Sequence, residues 1–362
     1  MMSSSVDKAA KYWSESTAKS QDQTRQGLSW LHIPRVRAHI NTRISGSPDV
    51  DWIEHSVQRY LKERLPATGR ALSLGCGSGW LERHLSQLGG FQTCDAFDAA
   101  PGSIEIAKRL MAEEGCTGIN YEVRDINQIQ LLGAHYDIVW INSAMHHFER
   151  LEHISEQLDY ALKPDGIVIL NEYVGPNRFQ FPPAQKDLIV ALFSALPSKY
   201  RKVVSAYATD ERERSLSPMR NGPAWLVKRS FDKLRDGDFV SALQRRRQTL
   251  KVASDQSDFE RAAIHFPSER DVIAHDPTEA VRSQDIVQVV RGKFDIVARC
   301  DYGGNLLHYL LGGIAGNFTG DDPESLSILD PIIAIEEALI ESGAFASDFT
   351  YIVAQKRGRS LV

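Results

Sequence analysis

Cysteine is scarce in this chain. The four that occur, Cys76, Cys94, Cys116 and Cys300, form no CxxC pair and follow no disulfide-rich spacing. That excludes a cystine-stapled scaffold and fits a reducing compartment. Long apolar runs are missing too. The most apolar later segment, Leu306 to Ile314, is too short to cross a bilayer and contains His308. The first residues, MMSSSVDKAAKYW, lack the apolar stretch of a secretory signal. No membrane span and a cytoplasmic location are therefore expected. Neither sign of charge dominates: a net -5 and a pI near 6.1 give no electrostatic case for nucleic acid as a partner. There is no internal repeat and no convincing metal-ligand spacing, because the adjacent His146 and His147 are expected to point differently on most backbones.

What is present is an ordinary globular composition, 42% hydrophobic and 25% charged, on a chain long enough for one elaborated domain or two. Residues 1–50 read as a helical, partly irregular cap holding the aromatic knot Trp30-Leu31-His32-Ile33-Pro34. Apolar positions at helical spacing from Asp51 to Leu65 follow. Short apolar runs then alternate with helical segments: Ala71–Leu74, Phe91–Phe97, Asn120–Val123, Tyr136–Ile141 and Gly166–Tyr173, with helices over Ser103–Met111 and Leu151–Leu162 between them. Lys163-Pro164-Asp165-Gly166 is a turn signal. Alternation of this kind predicts an α/β fold with a parallel sheet covered on both faces. The rhythm breaks over 174–290, which is helical and charge-rich (Asp210 to Arg214, Arg245 to Arg247). It returns in Phe294–Ala298 and Phe349–Val353. The expected organisation is a cap (1–50), a core (51–173), a helical insertion between the fifth and sixth strands (174–290) and completion of the sheet (291–362).

The first strand runs into glycines: Ala71-Leu72-Ser73-Leu74-Gly75-Cys76-Gly77-Ser78-Gly79-Trp80. Glycines at a strand-to-helix turn permit positive φ and let a ligand approach bare backbone. The dinucleotide fingerprint G-x-G-x-x-G needs its third glycine where Trp80 stands. The following strand ends supply carboxylates. Asp98 closes the second strand, at the distance where an acidic residue accepts hydrogen bonds from ribose hydroxyls. Asp125 follows the third strand, where it can meet an adenine amino group. Either one alone also suits a helix N-cap. The fourth strand ends in Asn142, followed by Ser143-Ala144-Met145-His146-His147-Phe148. All these ends fall on one edge of the sheet, where open α/β sheets bind ligands.

In this order the segments resemble the class I S-adenosylmethionine-dependent methyltransferases: LSLGCGSG, FDAAPGSIEIAKR, VRDI, YDIVWINSAMHHF and LKPDGIVILNEYV. The resemblance covers about 70–172 closely and resumes near 291, where FDIVARCDYGG and SDFTYIVAQKR look like the last two strands. It implies a Rossmann-like seven-stranded sheet and S-adenosyl-L-methionine as cofactor, held by Ser73, Gly75, Cys76, Gly77, Asp98, Ala99, Asp125, Ile126 and Asn142. The family usually has Asp or Glu where this chain has Ser73; in relatives that carboxylate helps organise the methionine end of the cofactor. NEYVGPNRFQFP, DPTEAVRSQDIV and YGGNLLHYLLGGIAGNF resemble a narrower bacterial group, some of whose members are encoded near cell-surface polysaccharide genes.

Methyl transfer to a small polar or glycan-type acceptor, on oxygen or nitrogen, is the expected activity. The acceptor must lose a proton, and His146 or His147 is placed to take it, with His146 favoured as the residue nearer the strand end. Glu172 and Tyr173 end the fifth strand facing the same cleft. Arg178 and Arg282 are candidates for holding an anionic or polyhydroxyl substrate, since arginine makes planar bidentate contacts. Both also suit structural ion pairs. Trp13, Trp30 and His32 could close over the cofactor. The alternatives are an NAD-dependent oxidoreductase and a non-catalytic cofactor-binding scaffold of the same fold.

Overall fold

A computed structural model of the chain describes residues 4–20, 29–62, 69–202, 263–318 and 322–357. Three helices precede the sheet: α1 (Ser4–Ser20), α2 (Pro34–Ser45) and α3 (Trp52–Ser56). Strands and helices then alternate. They run β1 (Arg70–Leu74), α4 (Trp80–Gln87), β2 (Thr93–Asp98), α5 (Pro101–Glu113), β3 (Ile119–Val123), β4 (Tyr136–Asn142), α6 (Leu151–Ala161) and β5 (Leu162–Tyr173). Beyond β5 come α7 (Pro183–Ala195), α8 (Glu269–His275) and α9 (Ile286–Lys293). The chain finishes with β6 (Phe294–Gly303), α10 (Leu307–Leu311), α11 (Pro323–Glu341) and β7 (Phe349–Lys356).

The seven strands lie in the order β3-β2-β1-β4-β5-β7-β6. The first five are parallel, and β7 inserts antiparallel between β5 and β6. This is the Rossmann-like arrangement that the alternation predicts. The central strands are near-continuous apolar runs because both faces are covered. Ala71, Ile138, Trp140, Ile167 and Ile169 pack on one face with Trp30, Val36, Leu81 and Ile104. Leu72, Leu74, Val139, Ile141, Val168 and Leu170 pack on the other with Leu151, Ile154, Leu158 and Ile286.

The signal at 163–166 has a structural counterpart. β4 and β5 pair at Tyr136–Leu162 and again at Ile138–Ile167, so those four residues bulge out of the ladder opposite a single partner position. The helical insertion lies between β5 and β6 as expected. Its last helix, α9, packs on α6 and β6 and thereby joins the layer covering the sheet. The charge runs Asp210 to Arg214 and Arg245 to Arg247 lie outside the described residues. Among the described residues no helix is long and apolar enough to cross a membrane. All four cysteines are free thiols.

Candidate active site

Strand order reverses around β1, with β2 on one side and β4 on the other, so the loops leaving β1 and β4 diverge and open a crevice. The glycine turn forms its floor. Gly75 (φ 71°) is required by packing: a β-carbon there would lie 2.3 Å from Cβ of Ala144. Gly77 (φ 53°) is different, because a β-carbon there would meet nothing within 4 Å. That bare backbone faces open space, as a ligand-binding turn requires. Asp98 holds the turn from beside it, accepting from Gly77 N at 2.9 Å and from Ala100 N at 2.8 Å. Burial pushes its carboxyl above the ordinary range against the pull of those N–H groups.

The crevice encloses about 360 Å³. All nine residues expected at the cofactor line it: Ser73, Gly75, Cys76, Gly77, Asp98, Ala99, Asp125, Ile126 and Asn142. Asp125 also caps the short helix after β3, accepting from Asn127 N at 3.0 Å, so both readings of that carboxylate hold together. α1 forms the opposite wall through Val6, Ala9, Ala10, Trp13 and Thr17. Trp13 closes over the crevice, whereas Trp30 is buried against Phe349 and His308, away from it. His32 bonds Ser29 instead. Three lining residues carry carboxylates, Glu82, Asp98 and Asp125, and no Lys or Arg joins them among the described residues.

The two histidines sit on a tight turn (Met145–His147) with ring centroids 4.3 Å apart. They do not diverge as their adjacency suggested, because the turn stacks neighbouring side chains. His146 Nδ1 lies 2.8 Å from Glu172 Oε2, and its Nε2 is 3.5 Å from Glu279. Burial would lower its pKa, but bonding to Glu172 and the charges of Glu172, Glu279 and Asp276 outweigh it and hold it above the ordinary value. His147 goes the other way: burial lowers its pKa, the His146 charge adds to this, and Glu279 and Asp276 oppose it without prevailing. His147 lines the crevice and His146 does not. The residue nearer the strand end thus lies behind its neighbour and outside the lining, contrary to the sequence expectation.

Second-rank contacts orient His147. Thr278 Oγ1 donates to Asp276 Oδ1 at 2.7 Å, so it accepts from His147 Nδ1 at 3.2 Å. Nε2 is left as the ring's free lone pair. Asp276, fully buried, also accepts from Trp13 Nε1 at 2.8 Å. His146, His147 and Glu279 bring three ligand-type atoms within 4.8 Å of one another, a spacing a cation could bridge and one that the histidine–carboxylate contacts already occupy.

The four residues expected at the acceptor do not line the crevice. Glu172 is fully buried beneath it and accepts from Ala144 N and Met145 N, both at 2.6 Å, as well as from His146. It anchors the histidine turn. Tyr173 is buried and donates to Pro176 O at 3.0 Å. Arg178 (φ 55°) bonds Glu279 O at 2.9 Å, fastening two segments of the insertion. Arg282 is held by Glu152 at 2.6 Å and Asp285 at 2.8 Å, the structural ion pair anticipated as its other reading. Sequence reasoning missed Glu82, Asp276 and Thr278.

Residues 71–166 match the family model described as "Methyltransferase domain". Among curated relatives, the N-terminal Xaa-Pro-Lys N-methyltransferase 1-B of Xenopus laevis is 26% identical over 170 residues, covering 44% of this chain and 75% of that protein. The ubiquinone biosynthesis O-methyltransferase of Cereibacter sphaeroides is 34% identical over 131 residues, covering 33% and 49%. The chain thus spans three quarters of the first relative and about half of the second. A crystal structure of an S-adenosylmethionine dependent methyltransferase from Mesorhizobium loti matches 83% of this chain and 98% of its own at 14% identity and a TM-score of 0.35. The family match, taken with the sheet order and the glycine turn, defines a methyltransferase domain. That domain, with this sheet order, is of the class I S-adenosylmethionine-dependent kind, an enzyme superfamily whose cofactor is S-adenosylmethionine. The residues fit that group, with open space over Gly77 and a carboxylate wall for a cationic ligand.

Proposed function

We propose that the protein methylates an oxygen or nitrogen of a small polar acceptor, a sugar or glycan precursor being the class to test first. One observation carries the cofactor side of this reading: three carboxylates and no Lys or Arg among the described lining residues. A dinucleotide brings a diphosphate, which such a wall repels. A sulfonium with an amino group brings positive charge, which it attracts. Trp80, on the crevice edge, stands where a dinucleotide site needs glycine.

When bound, the cofactor supplies a methyl group on a positively charged sulfur, open to in-line displacement. The strand ends orient it, and alignment can contribute about 7–11 kcal/mol. α1 excludes water with Val6, Ala9, Ala10 and Trp13. His147, neutral and with Nε2 free, takes the acceptor's proton, and Thr278 with Asp276 sets its tautomer. His146 and Glu172 hold the turn, and burial, joined by the charge of His146, lowers the pKa of His147 and favours its neutral form. The cap (1–50) covers the cofactor, and the insertion (174–290) acts as the acceptor-binding lid. Segments 171–182 and 276–287 converge on the histidines, which supports that role.

Calorimetry with S-adenosylmethionine, S-adenosylhomocysteine and NAD tests the cofactor, and binding of NAD alone overturns the reading. A mass-spectrometric screen of sugar, nucleotide-sugar and amine acceptors tests the rest. Methylation of a macromolecule only would replace the small-acceptor assignment.

A further inference from the structure

Glu82 stands in the first turn of α4 with none of its surface exposed. Ser73 Oγ donates to its Oε1, while Oε2, equally buried, has no hydrogen-bond partner among the described residues. An unmatched buried carboxylate oxygen is costly to keep. The nearest cation in sequence, Arg83, gives it a minor charge contribution and no hydrogen bond, because it is engaged by Glu114 at 2.9 Å and by Ser78 O at 2.7 Å. The groups that face it from other elements are Asp98 and Cys94 on β2, Cys76 in the glycine turn and Tyr121 on β3, none of them a cation. Yet Glu82 lines the crevice. A group that enters the crevice can therefore supply the partner its free oxygen lacks.

We infer that Glu82, held by Ser73, binds the amino group at the methionine end of the cofactor. Strand order supports the placement. Across β3-β2-β1-β4 the lining polar groups run Asp125, Asp98, Glu82 with Ser73, and then Asn142 with His147. Adenine and ribose are assigned to the first two and the acceptor to the last, which leaves the amino-acid portion over β1. There Glu82 offers a charge-assisted acceptor where β1 itself offers only a hydroxyl.

The empty carboxyl is pushed up to about 7 by burial, partly offset by the Ser73 hydrogen bond. An ammonium arriving at Oε2 favours the ionised form, so binding near neutral pH releases a proton from Glu82.

The inference rests on the cofactor assignment, and the experiment separates the two. Calorimetry compares S-adenosylhomocysteine with methylthioadenosine, which lacks the amino-acid portion, on wild type, Glu82→Gln and Ser73→Ala. The measurements are made near pH 7 in two buffers of different ionisation heat. Glu82→Gln is expected to weaken S-adenosylhomocysteine about 10- to 150-fold, leave methylthioadenosine within about twofold and abolish the linked proton release. Ser73→Ala, which keeps the carboxylate and loosens it, gives the same ligand selectivity with a smaller loss. If both ligands weaken in parallel, or neither does, in both variants, Glu82 is structural and the inference falls. If wild type binds neither ligand, the cofactor assignment falls instead.

Discussion

Replacing the two histidines one at a time separates a base from its neighbour. With ring centroids 4.3 Å apart, two charged imidazoles would repel by about 4 kcal/mol at an effective dielectric constant near 20. Double protonation is therefore disfavoured, and Glu172 makes His146 the ring that takes the first added proton. Ring NMR of labelled histidine, assigned with His146→Gln and His147→Gln, should show one imidazole titrating above the ordinary 6.5 and its neighbour below it. This needs no acceptor. Once an acceptor is found, kcat/KM should rise through a limb below pH 6.5 and level off by neutral pH. His147→Gln should lose the limb and about 10²–10⁴-fold in rate, or roughly 3–5 kcal/mol of barrier. His146→Gln should keep the limb but move it upward, because the His146 charge that adds to burial in lowering His147 is gone. The linkage has two signs. His146, raised, contributes stability that is present below 6.5 and lost as pH rises through its folded pKa; His147, lowered, costs stability as pH falls below 6.5. An inverted titration order, or a His147→Gln enzyme with wild-type rate and limb, would refute the assignment.

Gly75→Ala and Gly77→Ala should fail differently. The first lowers the melting temperature through its clash with Ala144; the second keeps most of the stability and loses cofactor affinity in calorimetry. Asp98→Ala should weaken S-adenosylmethionine by about 1.5–3 kcal/mol, and an unchanged Kd would move the ribose contact elsewhere. Arg282→Ala should cost at most about 1 kcal/mol in denaturant unfolding and leave acceptor KM unchanged, since its partners are Glu152 and Asp285 at the surface. A large rise in KM would return it to the substrate site.

The parts legible in the sequence are those set by short-range patterns. Each strand end is reached by reading apolar runs to their limits, so Asp98, Asp125 and Asn142 are found without knowing what packs on what. Glu82 is not found that way, because in Trp80-Leu81-Glu82-Arg83-His84-Leu85 it looks like any charged position of an amphipathic helix. It is buried because the first turn of α4 packs inward, where Ser73 of β1 meets it. Glu172 and Arg178 lie away from the crevice for a related reason. Their partners, the turn at 144–146 and the carbonyl of Glu279, come from elsewhere in the chain, and local pattern carries no information about such distant partners. His147 rather than His146 faces the crevice because of one tight turn, whose geometry depends on Glu172 beneath it.

The first helix gives the crevice a wall that the sheet does not own. Its hold on the body includes Ser14 against Gly102 N at 3.1 Å, Thr17 against Ser103 at 2.9 Å and Trp13 against Asp276. A ligand that touches Val6, Ala9, Ala10 and Trp13 binds best while that helix is seated, so docking of the helix and loading of such a ligand are linked equilibria. At a hundredfold excess over Kd the ligand adds about 2.7 kcal/mol to the seated state, near a hundredfold in population. Protease cleavage within residues 4–20 should slow by that factor when S-adenosylhomocysteine is added and stay unchanged with adenine alone. The N-terminal helix would then report occupancy, to any enzyme able to cut it, before a single methyl group has moved.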